Sequence, residues 1–165
     1  MLGNMTSSGE GPSADEVVRA SVATAEGRPT PPPFEAIGRS AVGSIEVILL
    51  RTRAPLDETR YIVELDRSVP RALTLRSMFT SSGPPRDLDD RVIREEEAVH
   101  GVPTIVVVKV DEAVRWVTAP TTGDHHRLEE TLDLILVVTP KAIPFEINAY
   151  DHHGRFLGMV EISGF

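Results

Sequence analysis

From Ser44 onward, short apolar runs alternate with turn-forming residues, and this spacing constrains the fold more than any other feature of the chain. The runs are rich in Val, Ile and Leu, and Gly, Pro, Asp or Asn separates them, as is typical of β-strands joined by turns. No regular alternation of strands with helices is visible, so a parallel βαβ arrangement is not indicated. About eight or nine such runs predict a mainly β fold, namely an antiparallel β-sandwich or open barrel with one short helix.

Particular runs predict how the strands pair. Three consecutive runs with short gaps predict an antiparallel meander, and two later runs flank a turn at Asp151-His152-His153-Gly154 and predict a hairpin. An almost unbroken β-branched run is expected to be a buried central strand, and the Asp111-Glu112 pair after it predicts a tight hairpin to the next strand. The meander runs are residues 45–50, 60–65 and 72–79, the central run is 104–110 with 113–118 after it, a long strand is expected at 128–139, and the final hairpin is 145–163.

Two segments have helical character. Ser13 with Glu16 three residues later matches a capping box, which predicts a short helix over residues 14–22. Residues 88–99 are predicted to be the one helix inside the domain, because Gly101 and Pro103 after them are typical helix stop signals. His100 would then cap the negative end of that helix. The alternative is a short edge strand over residues 91–94.

Composition divides the chain in two. Residues 1–40 are rich in Pro, Gly and Ser and predict a flexible N-terminal tail, whereas residues 41–165 predict a single β-rich domain. Within the tail, the proline run 28–33 favours an extended polyproline II conformation, either as a stiff spacer or as a ligand for an aromatic groove.

Charge and cysteine content exclude several classes of function. The formal net charge is -8 and no dense Lys/Arg cluster is visible, so neither nucleic acid nor an anionic membrane is an expected partner. With no cysteine, the chain has no disulfides, thiolate metal sites or Cys nucleophile. No secretory signal is evident in residues 1–5 and no apolar run reaches about 18 residues, so the cytoplasm is the expected compartment. Lys109 and Lys141 are the only lysines among many arginines, a usage typical of GC-rich bacteria.

A repeated Asp-His-His tripeptide is the most distinctive candidate for chemistry. Carboxylate and imidazole groups bind divalent metals, and loops at one end of a β-sandwich can converge. The predicted metal ligands are therefore Asp124, His125 and His126 in one loop, and Asp151, His152 and His153 in the other. The second tripeptide is equally explained as the polar tip of a hairpin. No cofactor other than such a metal is indicated.

Other candidate residues have simpler explanations. Trp116 lies on an alternating run, where it belongs to the core or acts as a stacking surface for a ligand. The arginines 51, 53 and 60 are expected on a solvated sheet face. The acidic run Asp87, Asp89, Asp90 and Glu95 to Glu97 is expected to be a solvated acidic face or a surface for a basic partner.

These observations predict a non-enzymatic protein-interaction or regulatory module that uses a sheet edge or its acidic face, with a protein partner or homo-oligomer. Two alternatives stay open. The first is a metal-dependent enzyme that uses the two Asp-His-His loops. The second is a small-ligand carrier with an apolar pocket between the sheets, lined by Trp116.

Overall fold

The computed structural model describes residues 13–27, 33–53, 57–69, 72–119, 123–126 and 133–164. Within these ranges the chain is mainly β, with antiparallel strands in three sheets and one helix, which confirms the predicted fold class. The helix α1 spans Ala14–Glu26. The strands are β1 (Glu35–Val42), β2 (Ile45–Arg53), β3 (Glu58–Asp66), β4 (Thr74–Gly83), β5 (Ile93–Val99), β6 (Thr104–Val110), β7 (Trp116–Ala119), β8 (Gly123–His126), β9 (Leu134–Thr139), β10 (Phe145–Tyr150) and β11 (Phe156–Ile162).

The three sheets follow the chain closely. The first sheet has the order β1-β2-β3-β4, which confirms the predicted meander. The middle sheet has the order β5-β6-β9, so the β-branched run of β6 is a central strand, as predicted. The third sheet has the order β11-β10-β7-β8, and its β10–β11 hairpin lies where the alternating pattern predicts it.

Three apolar clusters show how these elements are layered. One cluster joins α1 to the outer face of the first sheet, a second joins the first sheet to the middle sheet, and a third joins the middle sheet to the third sheet. The middle sheet is therefore covered on both faces, because alternate residues of β6 and β9 belong to different clusters. This double burial explains why both strands are continuously apolar rather than alternating.

Helix α1 confirms the helix predicted after Ser13 and extends it. The Ser13 hydroxyl accepts from the Glu16 amide, and the Ser13 amide donates to Glu16, which is the expected capping box. Gly27 ends the helix in the left-handed region at φ 65°. Val18 and Val22 are fully buried against the first sheet, so the helix is stabilised by packing rather than by propensity alone.

The predicted helix over residues 88–99 is wrong, since residues 93–99 form β5 at the edge of the middle sheet. The edge-strand alternative at 91–94 was closer, although the strand starts later and is longer. The reason is tertiary: Glu95, Glu96 and Glu97 bind partners that are distant in sequence, and these contacts override the local preference of glutamate for helix.

Three further predictions need correction. Asp111 and Glu112 do not form a hairpin between paired strands, because β6 and β7 belong to different sheets. Asp124, His125 and His126 lie in β8, which pairs with β7, rather than in a loop. A domain boundary at residue 41 would fall inside β1, which begins at Glu35 and pairs with β2 over its whole length.

Some predictions lie outside the described residues. These are the flexibility of residues 1–12, the conformation of residues 28–32, and the start of the long strand at residues 128–132. They stay predictions. In the described part of the chain, no helix has the length and apolar character needed to cross a membrane.

Candidate functional site

A charged cleft of about 360 Å3 lies between the first and middle sheets, next to the end of β4. The loop after β4, residues 84–86, forms one wall. Its charged lining residues come from β3, β5 and β6, from this loop and from the residue before β9, and both signs are present. They are Arg60, Arg86 and Lys109 on the cationic side, and Glu58, Glu96, Glu97 and Asp133 on the anionic side.

Glu96 reaches the cleft because β5 has a bulge at this residue. The register runs from Glu95 opposite Val108 directly to Glu97 opposite Val107, so Glu96 has no partner in the ladder. Bulges of this kind redirect a side chain and are frequent beside functional sites. The Glu96 side chain is only 3% exposed, and its Oε2 lies 3.5 Å from Nη2 of Arg60 and 3.8 Å from Nη2 of Arg86.

The remaining charged groups of the cleft contact Arg60 or the loop that carries Arg86, directly or through Lys109. Glu97 accepts a hydrogen bond from the Ser81 hydroxyl and lies 3.5 Å from Nη2 of Arg60. Lys109 donates to the carbonyl oxygen of Arg86, and its Nζ lies 3.3 Å from Oδ2 of Asp133. The cleft is therefore a network of ion pairs contributed by segments that are far apart in the sequence.

Arg51 lies behind this network. Its side chain is 4% exposed, Nη2 donates to Glu35 over 2.9 Å, and Nη1 lies 3.6 Å from Oδ1 of Asp133. Nε and Nη1 of Arg51 are buried without a hydrogen-bond partner. The expectation that Arg51 and Arg60 lie on a solvated sheet face is therefore wrong, and the side chain of Arg53 lies outside the described residues.

The acidic run over residues 87–97 is also less exposed to solvent than predicted, because several of its carboxylates have partners within the fold. Asp89 accepts from both the amide and the guanidinium of Arg91, and these hydrogen bonds lower the pKa of Asp89 to about 2. Glu95 accepts from the amides of Ser163 and Gly164, each over 3.2 Å. With Glu96 and Glu97 in the cleft, much of the run is paired. His100 does not cap a helix, since its Nε2 lies 3.0 Å from the carbonyl oxygen of Gly164.

Asp151 has a structural role in its own turn. Its Oδ1 accepts from the amides of His153 and Arg155, each over 2.9 Å, and its Oδ2 accepts from Nε of Arg155 over 3.1 Å. The backbone hydrogen bond from Arg155 is the main cause that lowers the pKa of Asp151. Gly154 supplies the positive φ of 81° that the turn requires. Both carboxylate oxygens of Asp151 thus accept hydrogen bonds from its own turn.

The two Asp-His-His tripeptides lie at the same end of the third sheet. His126 pairs with Trp116, and Trp116 pairs with Tyr150, the residue before Asp151. The rings of His152 and His153 contact each other at a centroid distance of 3.9 Å. Among the described side chains no group of three or more metal-binding residues comes together. The side chains of Asp124 and His126 lie outside that description, so the metal site stays a prediction, which elemental analysis of the purified protein would test.

Trp116 belongs to a row of aromatic residues across the third sheet. Its ring stacks on Tyr150 at a centroid distance of 5.8 Å, and Tyr150 meets Phe156 edge to face at 6.0 Å. Cross-strand aromatic pairs of this kind stabilise a sheet. Trp116 is not among the residues that line the charged cleft.

Comparisons with protein-family models, with curated proteins and with solved structures found no match to this chain. Glu58, Arg86, Lys109 and Asp133 were not identified as site residues from the sequence. The recurrence of arginine and glutamate on strands is a signal for part of the charged cleft, but it does not distinguish a cleft from a solvated surface, and Lys109 and Asp133 do not share it.

Proposed function

We propose that this protein is a non-enzymatic interaction module that associates with a second copy of itself through the open edge of β4. One observation carries the proposal: β4 is an edge strand of ten residues with a single charged side chain, Arg76. Long, uncharged edges are templates for strand addition, and proteins usually blunt them with charges, prolines or a covering segment. A cytoplasmic location, expected from the sequence, remains part of this proposal.

The other long edges are occupied. β1 lies against β9, where Gly38 approaches Leu136 so closely that a Cβ atom would come within 2.9 Å of it. β5 and β11 lie against each other, and the amides that follow β11 bind Glu95 of β5. In contrast, no strand in the described part of the chain pairs with the outer side of β4.

The surface of β4 is suited to self-association. A bulge at Arg76 separates the first residues of the strand from a regular, uncharged segment over residues 77–83. Phe79 lies in this segment and is 38% exposed, although it is a large apolar side chain. An antiparallel pair centred on Phe79 places the two Phe79 rings side by side and Arg76 opposite Ser82. The two Arg76 charges then lie at opposite ends of a twofold interface.

The acidic face is the weaker alternative for a partner. Asp89, Glu95, Glu96 and Glu97 have hydrogen-bond or ion-pair partners inside the fold, which leaves mainly the exposed Asp87 and Asp90 to attract a basic protein. In contrast, the outer side of β4 pairs with no strand within the ranges that the structure describes. Because edge pairing buries less surface than a standard interface of about 1,600 Å2, we expect a weak dimer that dissociates on dilution.

Sedimentation velocity over a wide range of protein concentration tests the proposal. The wild-type chain should shift from monomer to dimer as concentration rises, and Phe79→Lys should stay monomeric because it places two positive charges opposite each other. The matched control is Phe156→Lys, which changes a more exposed phenylalanine (58%) on the third sheet and should dimerise normally. Thr80→Lys, at an exposed position, is a second edge variant if Phe79→Lys unfolds.

A wild-type chain that stays monomeric at all concentrations would overturn the proposal. The same conclusion follows if Phe79→Lys and Thr80→Lys, both with wild-type circular dichroism, dimerise as tightly as the Phe156→Lys control.

A further inference from the structure

The charged cleft has spare hydrogen-bonding capacity on its cationic side. The guanidinium of Arg60 lies 3.5 Å from Glu96 and Glu97 and 3.9 Å from Glu58. Charge-assisted hydrogen bonds normally measure about 2.7–2.9 Å, so Arg60 is surrounded by carboxylates without being firmly bound to any of them. Arg86 approaches Glu96 at 3.8 Å and is 71% exposed, so it can turn toward a ligand at little cost.

The anionic side has spare capacity as well. Glu58 is mostly buried, yet its carboxylate lies 3.9 Å from Nε of Arg60, beyond hydrogen-bond distance. Asp133 stands between Lys109 at 3.3 Å and Arg51 at 3.6 Å. Burying the Glu58 carboxylate with so loose a contact is costly, and a bound group that donates hydrogen bonds would offset part of that cost. Asp133 is 40% exposed and is accessible to such a group.

Arg51 supplies an independent sign that the network is incomplete. Two of its nitrogens, Nε and Nη1, are buried without a hydrogen-bond partner, and such groups in a folded protein call for an explanation. Glu35 binds Nη2 of Arg51, whereas Nη1 lies 3.6 Å from Oδ1 of Asp133, beyond hydrogen-bond distance. A ligand group that binds Asp133 would therefore weaken the contact between Asp133 and Arg51. In this way, binding in the cleft would affect the buried Arg51 side chain.

The two signs nearly balance in the lining, which contains three cationic and four anionic side chains. A cleft with both signs and little net charge discriminates against simple anions and simple cations, because each meets repulsion as well as attraction. A small dipolar molecule meets attraction at both of its ends. The volume of about 360 Å3 lies at the lower end of the range for small-ligand sites.

We propose that the charged cleft binds a free amino acid as a zwitterion. The carboxylate lies between Arg60 and Arg86, where planar guanidinium groups favour bidentate contacts. The ammonium group lies against Glu58 and Asp133, and donates the hydrogen bonds that these carboxylates lack. The proposal goes beyond the interaction function. Ser81, Ser82 and Gly83 of β4 line the cleft but Phe79 does not, and a failure to dimerise leaves the charged lining residues intact.

Isothermal titration calorimetry on the full chain with each of the common amino acids tests the proposal. At least one should bind saturably. Its N-acetyl derivative, which lacks the ammonium, and its amide, which lacks the carboxylate, should each bind at least roughly tenfold more weakly, since each loses one charged contact. If no amino acid binds, or if either derivative binds as tightly as the parent, the proposal is wrong.

A pair of arginine variants locates the site. Arg86→Gln removes an exposed cleft residue and should weaken binding about tenfold while leaving the melting temperature unchanged. Arg91→Gln is the matched control, since Arg91 belongs to the segment before β5 and pairs with Asp89 away from the lining. Equal loss of affinity in both variants, or no loss in Arg86→Gln, contradicts binding in the cleft.

Discussion

Arg94 donates to a single carboxylate oxygen of Glu96 from both Nε and Nη2, over 3.1 and 2.6 Å. This contact holds the carboxylate of the bulge residue while its other oxygen faces Arg60 and Arg86. Glu96 is therefore the centre of the ion-pair network between the two sheets. Removing the carboxylate leaves the mostly buried guanidinium groups of Arg60 and Arg94 without their common partner.

Replacing Glu96 by alanine should lower the free energy of unfolding by roughly 3 kcal/mol, because breaking one side of a buried ion pair leaves uncompensated charge. Urea denaturation measures the change. The control is Asp90→Ala, which removes an exposed carboxylate from the segment before β5 and should change stability by less than about 0.5 kcal/mol. Equal effects of the two variants would show that the network contributes no stability of its own.

The strand pattern could be predicted wherever burial follows the local sequence. In β10, Phe145, Ile147 and Ala149 are buried and the residues between them are not, so strict alternation was a reliable signal. In β6 every residue from Thr104 to Val108 is buried, and the unbroken apolar run indicated a central strand. The alternation in β10 and the continuous apolar run in β6 both reflect whether one or both faces of the strand are buried. Each pattern is visible in consecutive residues of the sequence.

The charged cleft could not be predicted in the same way. Glu96 and Arg60 lie 36 positions apart in sequence and meet only because the first and middle sheets pack face to face. Three successive glutamates have no spacing that distinguishes a paired bulge residue from a solvated one. The role of Asp151 was easier to anticipate, because its partners His153 and Arg155 belong to the same turn.

Asp151 should contribute to acid sensitivity. Its pKa in the folded state is lowered, chiefly by the backbone hydrogen bond from Arg155. Its stabilising contribution is therefore fully present above the ordinary Asp pKa of about 3.9 and is lost as pH falls through the lower native value. Asp151→Asn should melt at a lower temperature than the wild type at neutral pH, and the difference should narrow in acid.

Melting temperatures measured from neutral pH down to the acid limit of folding would check this behaviour. Asp90→Asn provides the comparison, because it makes the same chemical change at an exposed position. A difference between wild type and Asp151→Asn that stays constant with pH would argue against the charge of Asp151 as the stabilising element.

Gly164 should be more sensitive to substitution than Gly43, although both have positive φ, 64° and 61°. A Cβ atom at Gly164 would lie 2.5 Å from Nε2 of His100, whereas nothing lies within 4 Å at Gly43. Gly43→Ala should therefore cost about 1 kcal/mol of backbone strain. Gly164→Ala should cost about 1 kcal/mol more, because the contacts of the C-terminal segment with His100 and Glu95 are displaced.

Chemical denaturation of the two glycine variants provides the comparison. Hydrogen exchange of the Ser163 and Gly164 amides adds a local readout, which Gly43→Ala should leave unchanged. Equal stability losses with protected amides in both variants would mean that the C-terminal contacts adapt to the added methyl group.

Glu146 and Glu161 face each other across the final hairpin, and both are exposed. Like charges in directly opposed cross-strand positions repel, so this pair weakens a hairpin that packing otherwise stabilises. Glu161→Lys converts the repulsion into attraction and should raise the free energy of unfolding by about 0.5–1 kcal/mol at low salt, with a smaller gain at high salt.

A double-mutant cycle separates the pair from other effects of the new lysine. In the Glu146→Lys background, Glu161→Lys restores a like-charged pair and should lower stability by a similar amount. A substitution that stabilises the hairpin equally in both backgrounds would point to reduced net charge of the whole protein, which is -8, rather than to the cross-strand contact. The sign reversal between the two backgrounds is therefore the result that identifies Glu146 as the partner of Glu161.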